Sequence, residues 1–489
     1  MDAEPNRYAM FQHGTRKGCP MTPANTDAPL QVGQSEACGP VAFADPRLQS
    51  LVLTHGSPPM QSDGNPVELA LYTPHPFALQ EQQAEALCYE AVHASFAYHL
   101  QHNAFYRRYA EAAGVCAEDL RGPQDLVKIP LIPVHVFKGC PGPHEFLPWL
   151  TSLSATDIAW PTAAIATDSY QEQIALLYRD CGIQVESIEG DNGAMLFLPF
   201  DRVSQRRNVH ANILTFFAMY PEFRNLAELT SVTLWPPTFR WPSWIVPQER
   251  VRSLLDRPLD LAMLAELSAP QKPRRFVHRF FGRRQARQGI ALLAGILARL
   301  KEVAATGMPG VLWIPSSLLG VLSHFALEQD GGLRLGSAWR VIQSGGWQPN
   351  LEQPLSAAEL RMLAAQGLGI LPEQVYDLYS PIGSLGPCAL SCEAGYLHIP
   401  PPLVHPMVVS EAMEPLDEGM WGRFAFLSPL PQAFPGFIVT EDRARLWRRC
   451  PSCDRLGPVL DPAISLMHDG EDRSCGNIVR QIIAERLTT

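Results

Sequence analysis

Apolar residues recur every fourth position at Cys88, Val92, Phe96 and Leu100. That spacing keeps one stripe of a helix apolar, so the segment predicts an amphipathic helix. The pattern runs on through HNAFYRRYAEAAG, where Gly114 is a plausible stop. Next, KIPLIPVHVFKG at residues 128–139 holds two X-Pro steps that keep the backbone extended, and Val134, Val136 and Phe137 predict a strand or strand edge. GAMLFLPF at 193–200 reads as a buried strand, as do Val311–Ile314 and Trp339–Ile342. Helical patterns such as Ile290–Val303 and Ala357–Ala365 lie between them. Alternation of this kind predicts an α/β body. No internal repeat is visible.

Residues 1–78 are rich in Pro, Gly, Ser, Thr and Asn and lack periodicity, so we expect an irregular arm there. The main domain is expected over 79–460 and a short C-terminal tail over 461–489. With 489 residues the chain exceeds one ordinary core. Its 46% hydrophobic and 18% charged residues are the composition of a folded protein. A net charge of -10 argues against a general nucleic-acid binder, which is usually basic. Asp2 and Glu4 stand where a signal peptide is basic. The best apolar run, Ile290–Ala298, ends at Arg299, far short of the ~20 residues of a membrane span. A cytoplasmic protein is therefore expected. Residues 271–288, QKPRRFVHRFFGRRQARQ, carry seven Lys or Arg, no acid and three interleaved Phe. This is either a solvated amphipathic insertion or a docking site for an acidic partner: a carrier protein, an anionic lipid surface or a nucleic acid.

Several groups carry candidate chemistry. Cys450 and Cys453 form a C-x2-C pair, with Cys392 and His398 upstream and Cys388 in reserve. Three thiolates and an imidazole are a common closed, structural zinc set. The alternative is reduced, unligated thiols. Thr440, Glu441 and Asp442 follow the apolar Phe437–Val439. A carboxylate at a strand end can accept two hydrogen bonds from a pair of ligand hydroxyls, or simply belong to an acidic turn. Gly345 and Gly346 permit close backbone approach to a ligand, and Trp347 could wall a pocket for a flat or apolar group. A plain glycine turn beside a core Trp is equally consistent.

Four stretches, in order, carry a resemblance: IPLIPVHVFKG; QSGGW from Gln343 to Trp347; SCEAGYLHIPPPLVHPMVV with LDEGMWGRFAF and FPGFIVTEDRARL; and RCPSCDRLGPVL with EDRSCG. Together they are similar to the LuxE-type acyl-protein synthetases and their relative phenylacetate-CoA ligase. The resemblance covers about 79–480. It implies an α/β fold with an adenylate-forming-enzyme-like large domain of mixed sheets and helices and a short C-terminal subdomain. It implies an AMP-forming acyl ligase that uses ATP with Mg2+, activates a carboxylic or fatty acid, and passes the acyl group to a cysteine or to the thiol of a partner protein. By resemblance Asp442 holds the AMP ribose, Tyr379 belongs to the nucleotide motif, and Cys475 receives the acyl group. The four Cys/His positions match the structural zinc site of phenylacetate-CoA ligase-like proteins. Arg473 beside Cys475 favours the reactive thiolate; an inert buried Cys is the alternative.

The chain departs from the family pattern at two places. LTSLSATDIAW, at the position of the phosphate loop, keeps hydroxyls at Thr151, Ser152, Ser154 and Thr156 but has no glycine. YDLYSPIGS has Tyr379, Ser380 and Pro381 where the family has a glutamate that helps hold magnesium. These losses open a second expectation: a catalytically silent relative kept as a binding or scaffold subunit of a biosynthetic complex.

Overall fold

Asn65 caps the first helix among the described residues, α1 (Pro66–Leu71), by accepting the Val67 amide at 2.9 Å, and Pro66 sits where no amide donor is needed. The computed structural model describes residues 64–73, 75–138, 140, 142–155, 160–161, 169–189, 195–221, 230–234, 251–253, 276–330, 332–344, 355–380 and 388–466, without the side chains of 138, 171, 187–189, 195, 251–253, 276–289, 317, 330 and 466. Helix α1 forms inside the stretch expected to be irregular, because Val67 and Leu71 are buried in the main core. The four-residue stripe lies on α2 (Glu81–His102), with Cys88, Val92 and Phe96 buried and Leu100 partly so. Asn103 then caps α3 (Ala104–Ala113), and Gly114 ends it at φ 71°.

The expected strand after Pro130 is cut to β1 (Ile132–Pro133), followed by a 3₁₀ turn over Val134–Lys138. Val134 and Phe137, three apart, point to one side of that turn and are both buried. Helix α4 (Phe146–Leu153) and a hairpin of β2 (Gln184–Glu189) and β3 (Met195–Phe200) come next. Helix α5 (Arg202–Met219) follows, capped by Asp201.

A parallel half-sheet is then built from β4 (Thr230–Thr233), β5 (Val251–Ser253), β6 (Gly310–Pro315), β7 (Trp339–Ser344) and β8 (Val375–Tyr379), in the order β5-β4-β6-β7-β8. Helices α6 (Phe276–Ala305), α7 (Ser316–Asp330) and α8 (Ala357–Leu368) interleave with these strands. Successive side chains point to opposite faces of a strand. Accordingly Leu312 and Ile314 of β6 join one core with α6, α7 and α8, while Val311 and Trp313 join another with α5. Burial on both faces is why β6 reads as an unbroken apolar run.

Beyond β8 the sheet turns antiparallel. It continues through β9 (Ala389–Ser391), β10 (Leu397–His398), β14 (Val459–Leu460), β13 (Gly436–Trp447), β12 (Trp421–Ser428) and β11 (His405–Val409). The long β13 also pairs with β1 and with β15 (Ser465–Leu466). The result is the mixed α/β architecture expected. Among the described residues no helix is long and apolar enough to cross a membrane.

Candidate functional site

The last residue of β8, Tyr379, donates its hydroxyl proton to Asp442 Oδ2 of β13 at 2.8 Å. Strand β13 holds Asp442 firmly. Thr440 is buried, donates to the Phe424 carbonyl at 2.9 Å and accepts the Asp442 amide at 3.1 Å. Arg423 donates to the Thr440 carbonyl, and the Tyr379 ring stands 6.0 Å from that of Phe424. Two residues singled out from sequence, Tyr379 and Asp442, are thus in direct contact, and Thr440 is the latch that orients the second. Ser344 ends β7 in register with Leu378, next to Tyr379. Gly345, Gly346 and Trp347 follow it and lie outside the described residues.

A second constellation lies at the β9–β10 hairpin. One donor atom each from Cys392, His398, Cys450 and Cys453 falls within 4.8 Å of the others. Cys392 Sγ and Cys450 Sγ are 3.9 Å apart, and Cys453 Sγ lies 3.3 Å from His398 Nε2. A tetrahedral zinc with ordinary Zn–S and Zn–N bonds has edges of about 3.5–3.8 Å, and these two pairs lie close to that spacing. Burial holds the His398 imidazole down to about 4, helped by Arg455, which keeps it in the neutral form that ligates metals. Burial also pushes the Cys450 thiol up to about 12, with Cys392 adding to it. A bound cation would reverse that, since the thiolate is the ligand form. The hairpin closes through Cys392 N–H to the Tyr396 carbonyl at 3.0 Å and Gly395 at φ 95°. Cys388 packs instead in the core beneath α5, with its amide donating to Asn212, and takes no part in the cluster.

A third group was missed from sequence. Arg361 of α8 donates to Asp377 Oδ2 of β8 and, at 3.2 Å, to Ser391 Oγ. Gln343 of β7 donates to Asp377 Oδ1, and the Asp377 amide donates to Ser391 Oγ at 2.7 Å. Burial pushes the Asp377 carboxyl up, while Arg361 and then Gln343 pull it back. Asp377 stands two residues before Tyr379, whereas the sequence reading looked for an acid after it.

Comparison with known proteins places this geometry. The family model for acyl-protein synthetase, LuxE, matches residues 63–159 and 286–484, more than half of the chain. The chain belongs to this family.

A curated relative, the long-chain-fatty-acid–luciferin-component ligase of Aliivibrio fischeri, is 24% identical over 143 residues, 29% of this chain and 36% of that protein. The chain therefore spans only a little over a third of that relative's length. Two crystal structures of 2-hydroxyisobutyryl-CoA ligase share the fold. One, with 2-HIB-AMP and CoA in the thioesterification state, has a TM-score of 0.52 at 12% identity, covering 85% of this chain and 73% of its own. The other, postadenylation with R3-HIB-AMP, has a TM-score of 0.52 at 13% identity, covering 87% and 76%. The adenylate-forming fold follows from these likenesses.

In this chain three of the surviving hydroxyls of the glycine-free loop already have partners. Thr151, Ser152 and Ser154 lie in or just after α4 and donate to the carbonyls of Leu147, Trp149 and Leu150. Thr156 and Pro381 lie outside the described residues, as does Cys475. The backbone of 276–288 is helical as part of α6, and 271–275 lie outside the description.

Proposed function

We propose that this member of the LuxE family is an AMP-forming acyl ligase. The carboxylate oxygen of an organic or fatty acid attacks the α-phosphorus of ATP, held with Mg2+, and pyrophosphate leaves, giving acyl-AMP. A thiolate, of Cys475 or of a partner protein, then attacks the acyl carbonyl; AMP leaves and a thioester forms. The reading rests on the Tyr379–Asp442 contact. It presents a positioned carboxylate where ribose hydroxyls could donate, beside an aromatic ring able to face adenine. Gly345, Gly346 and Trp347 would complete the nucleotide edge. Catalysis would then rest on positioning and on neutralising charge at the leaving groups. Cys392, His398, Cys450 and Cys453 would hold a zinc ion whose role is to lock the hairpin, because four protein ligands leave no open position.

One observation favours a second reading, a silent relative that binds or scaffolds. The hydroxyls at Thr151, Ser152 and Ser154 are committed to their own helix. ATP–pyrophosphate exchange across a panel of carboxylic acids separates the two. Acid-dependent exchange supports the ligase; no exchange with any acid, in protein that binds AMP, supports the silent relative.

A further inference from the structure

Arg361, Asp377, Gln343 and Ser391 connect three parts of the molecule that the proposed function uses separately. Ser391 directly precedes Cys392 of the metal cluster. Asp377 lies two residues before Tyr379, on the same side of β8. Gln343 lies two residues before Gly345. The Arg361 guanidinium also packs against the hairpin turn. A Cβ on Gly395 would come within 2.4 Å of Arg361 Nη1, so the turn needs glycine for this approach as well as for its φ of 95°. Tyr220 donates to the Ser391 carbonyl at 2.9 Å, fixing the hairpin from α5.

Arg361 is 6% exposed, so its charge is almost wholly withdrawn from water. A buried ion pair is a poor source of stability, since desolvation offsets most of the attraction, and apolar replacements of similar volume are often as stable. What it supplies is direction. The carboxylate of Asp377 accepts from Arg361 on one oxygen and from Gln343 on the other, so the strand end can neither rotate nor slip. Apolar packing would tolerate both movements.

We propose that Arg361 and Asp377 are positioning residues for nucleotide binding: the pair fixes the end of β8, and with it Tyr379, against the metal-binding hairpin. The inference rests on the adenylate reading of Tyr379 and Asp442. Neither Arg361 nor Asp377 need touch the nucleotide for its affinity to depend on them.

The test is AMP binding by calorimetry to the full chain, with thermal stability and metal content measured alongside. The double variant Arg361→Met, Asp377→Leu removes both charges at similar volume. It is expected to fold and to keep its metal, yet to bind AMP at least tenfold more weakly. Arg361→Lys, which restores charge without the planar two-way donor, is expected to fall between it and the parent. A folded double variant that binds AMP within twofold of the parent overturns the proposal, because a purely structural pair would change stability and leave affinity alone. If the double variant does not fold, Arg361→Lys decides by the same criterion. A parent that binds no AMP overturns the adenylate reading and this inference together, a result distinct from a parent that binds and a variant that binds equally well.

Discussion

Tyr379 and Asp442 are 63 residues apart in sequence and meet at 2.8 Å between hydroxyl and carboxylate. The contact ties the last strand of the parallel half-sheet to the longest antiparallel strand, β13. A carboxylate oriented in this way loses little freedom when ligand hydroxyls arrive. Asp442→Ala is expected to weaken AMP and ATP binding tenfold or more, in line with the ~1.5–3 kcal/mol of a hydrogen bond to a charged group. Tyr379→Phe, which keeps the ring, is expected to cost less. Calorimetric affinities and melting temperatures check both. Unchanged affinity in a folded Asp442→Ala protein would remove its role.

Purified protein is expected to hold about one zinc per chain by elemental analysis, the number that four converging ligands accommodate. Chelation is expected to lower the melting temperature, because structural metal binding is coupled to folding. Cys453→Ala should lose both the metal and that stability. Cys388→Ala should keep the metal, since Cys388 lies in the core beneath α5. Protein free of zinc yet fully folded would end the claim.

Much of the fold is legible because it is local. The strand around Val311–Ile314 is buried on both faces, and its run without polar residues shows it; Trp339–Ile342 keeps the pattern apart from the half-buried Arg340. The candidate metal set stands out in sequence because C-x2-C spacing is itself a turn geometry, and the fold brings Cys392 and His398 to that pair while the reserve Cys388 stays apart. Two features were hidden for different reasons. Val134 and Phe137 satisfy both a short strand and a 3₁₀ turn, and periodicity cannot separate these over so few residues. The Arg361–Asp377–Gln343–Ser391 network is assembled from four elements, so no sequence spacing announces it.

If acyl transfer uses an internal thiol, protein incubated with ATP and a radiolabelled acid becomes labelled, and hydroxylamine releases the label. A thiolate is both a good nucleophile and a good leaving group, which suits a relay. Cys475→Ser is expected to abolish hydroxylamine-sensitive labelling while acyl-AMP formation continues. Labelling that persists in this variant would place the acceptor elsewhere, and a parent that never labels would favour the silent relative unless ATP–pyrophosphate exchange shows activation, in which case the thiol of a partner protein is the acceptor.

The last prediction concerns acid stability. His210 on α5 is 5% exposed, with its ring 4.7 Å from that of Tyr72. Arg206 and Arg207 stand on the same helix, and both donate to Glu68 of α1, at 2.9 and 2.7 Å. Burial holds the His210 imidazole down from 6.5 to about 4, with the Arg206 charge acting in the same direction. The folded protein therefore keeps His210 neutral over a range where the unfolded chain protonates it. Between these two values the unfolded state binds more protons, so stability rises with pH. The contribution is fully present above about 6.5 and is lost as pH falls toward 4. The gap corresponds to about 3 kcal/mol as an order of magnitude. His210→Phe fills the same space without a titrating group, and its stability should be flatter across this window. Burial also holds His398, a proposed metal ligand, down to about 4, so the decisive quantity is the difference between parent and variant in denaturant melts at pH 7 and pH 4.5. Equal losses in the two proteins would show that His210 does not set the acid limit.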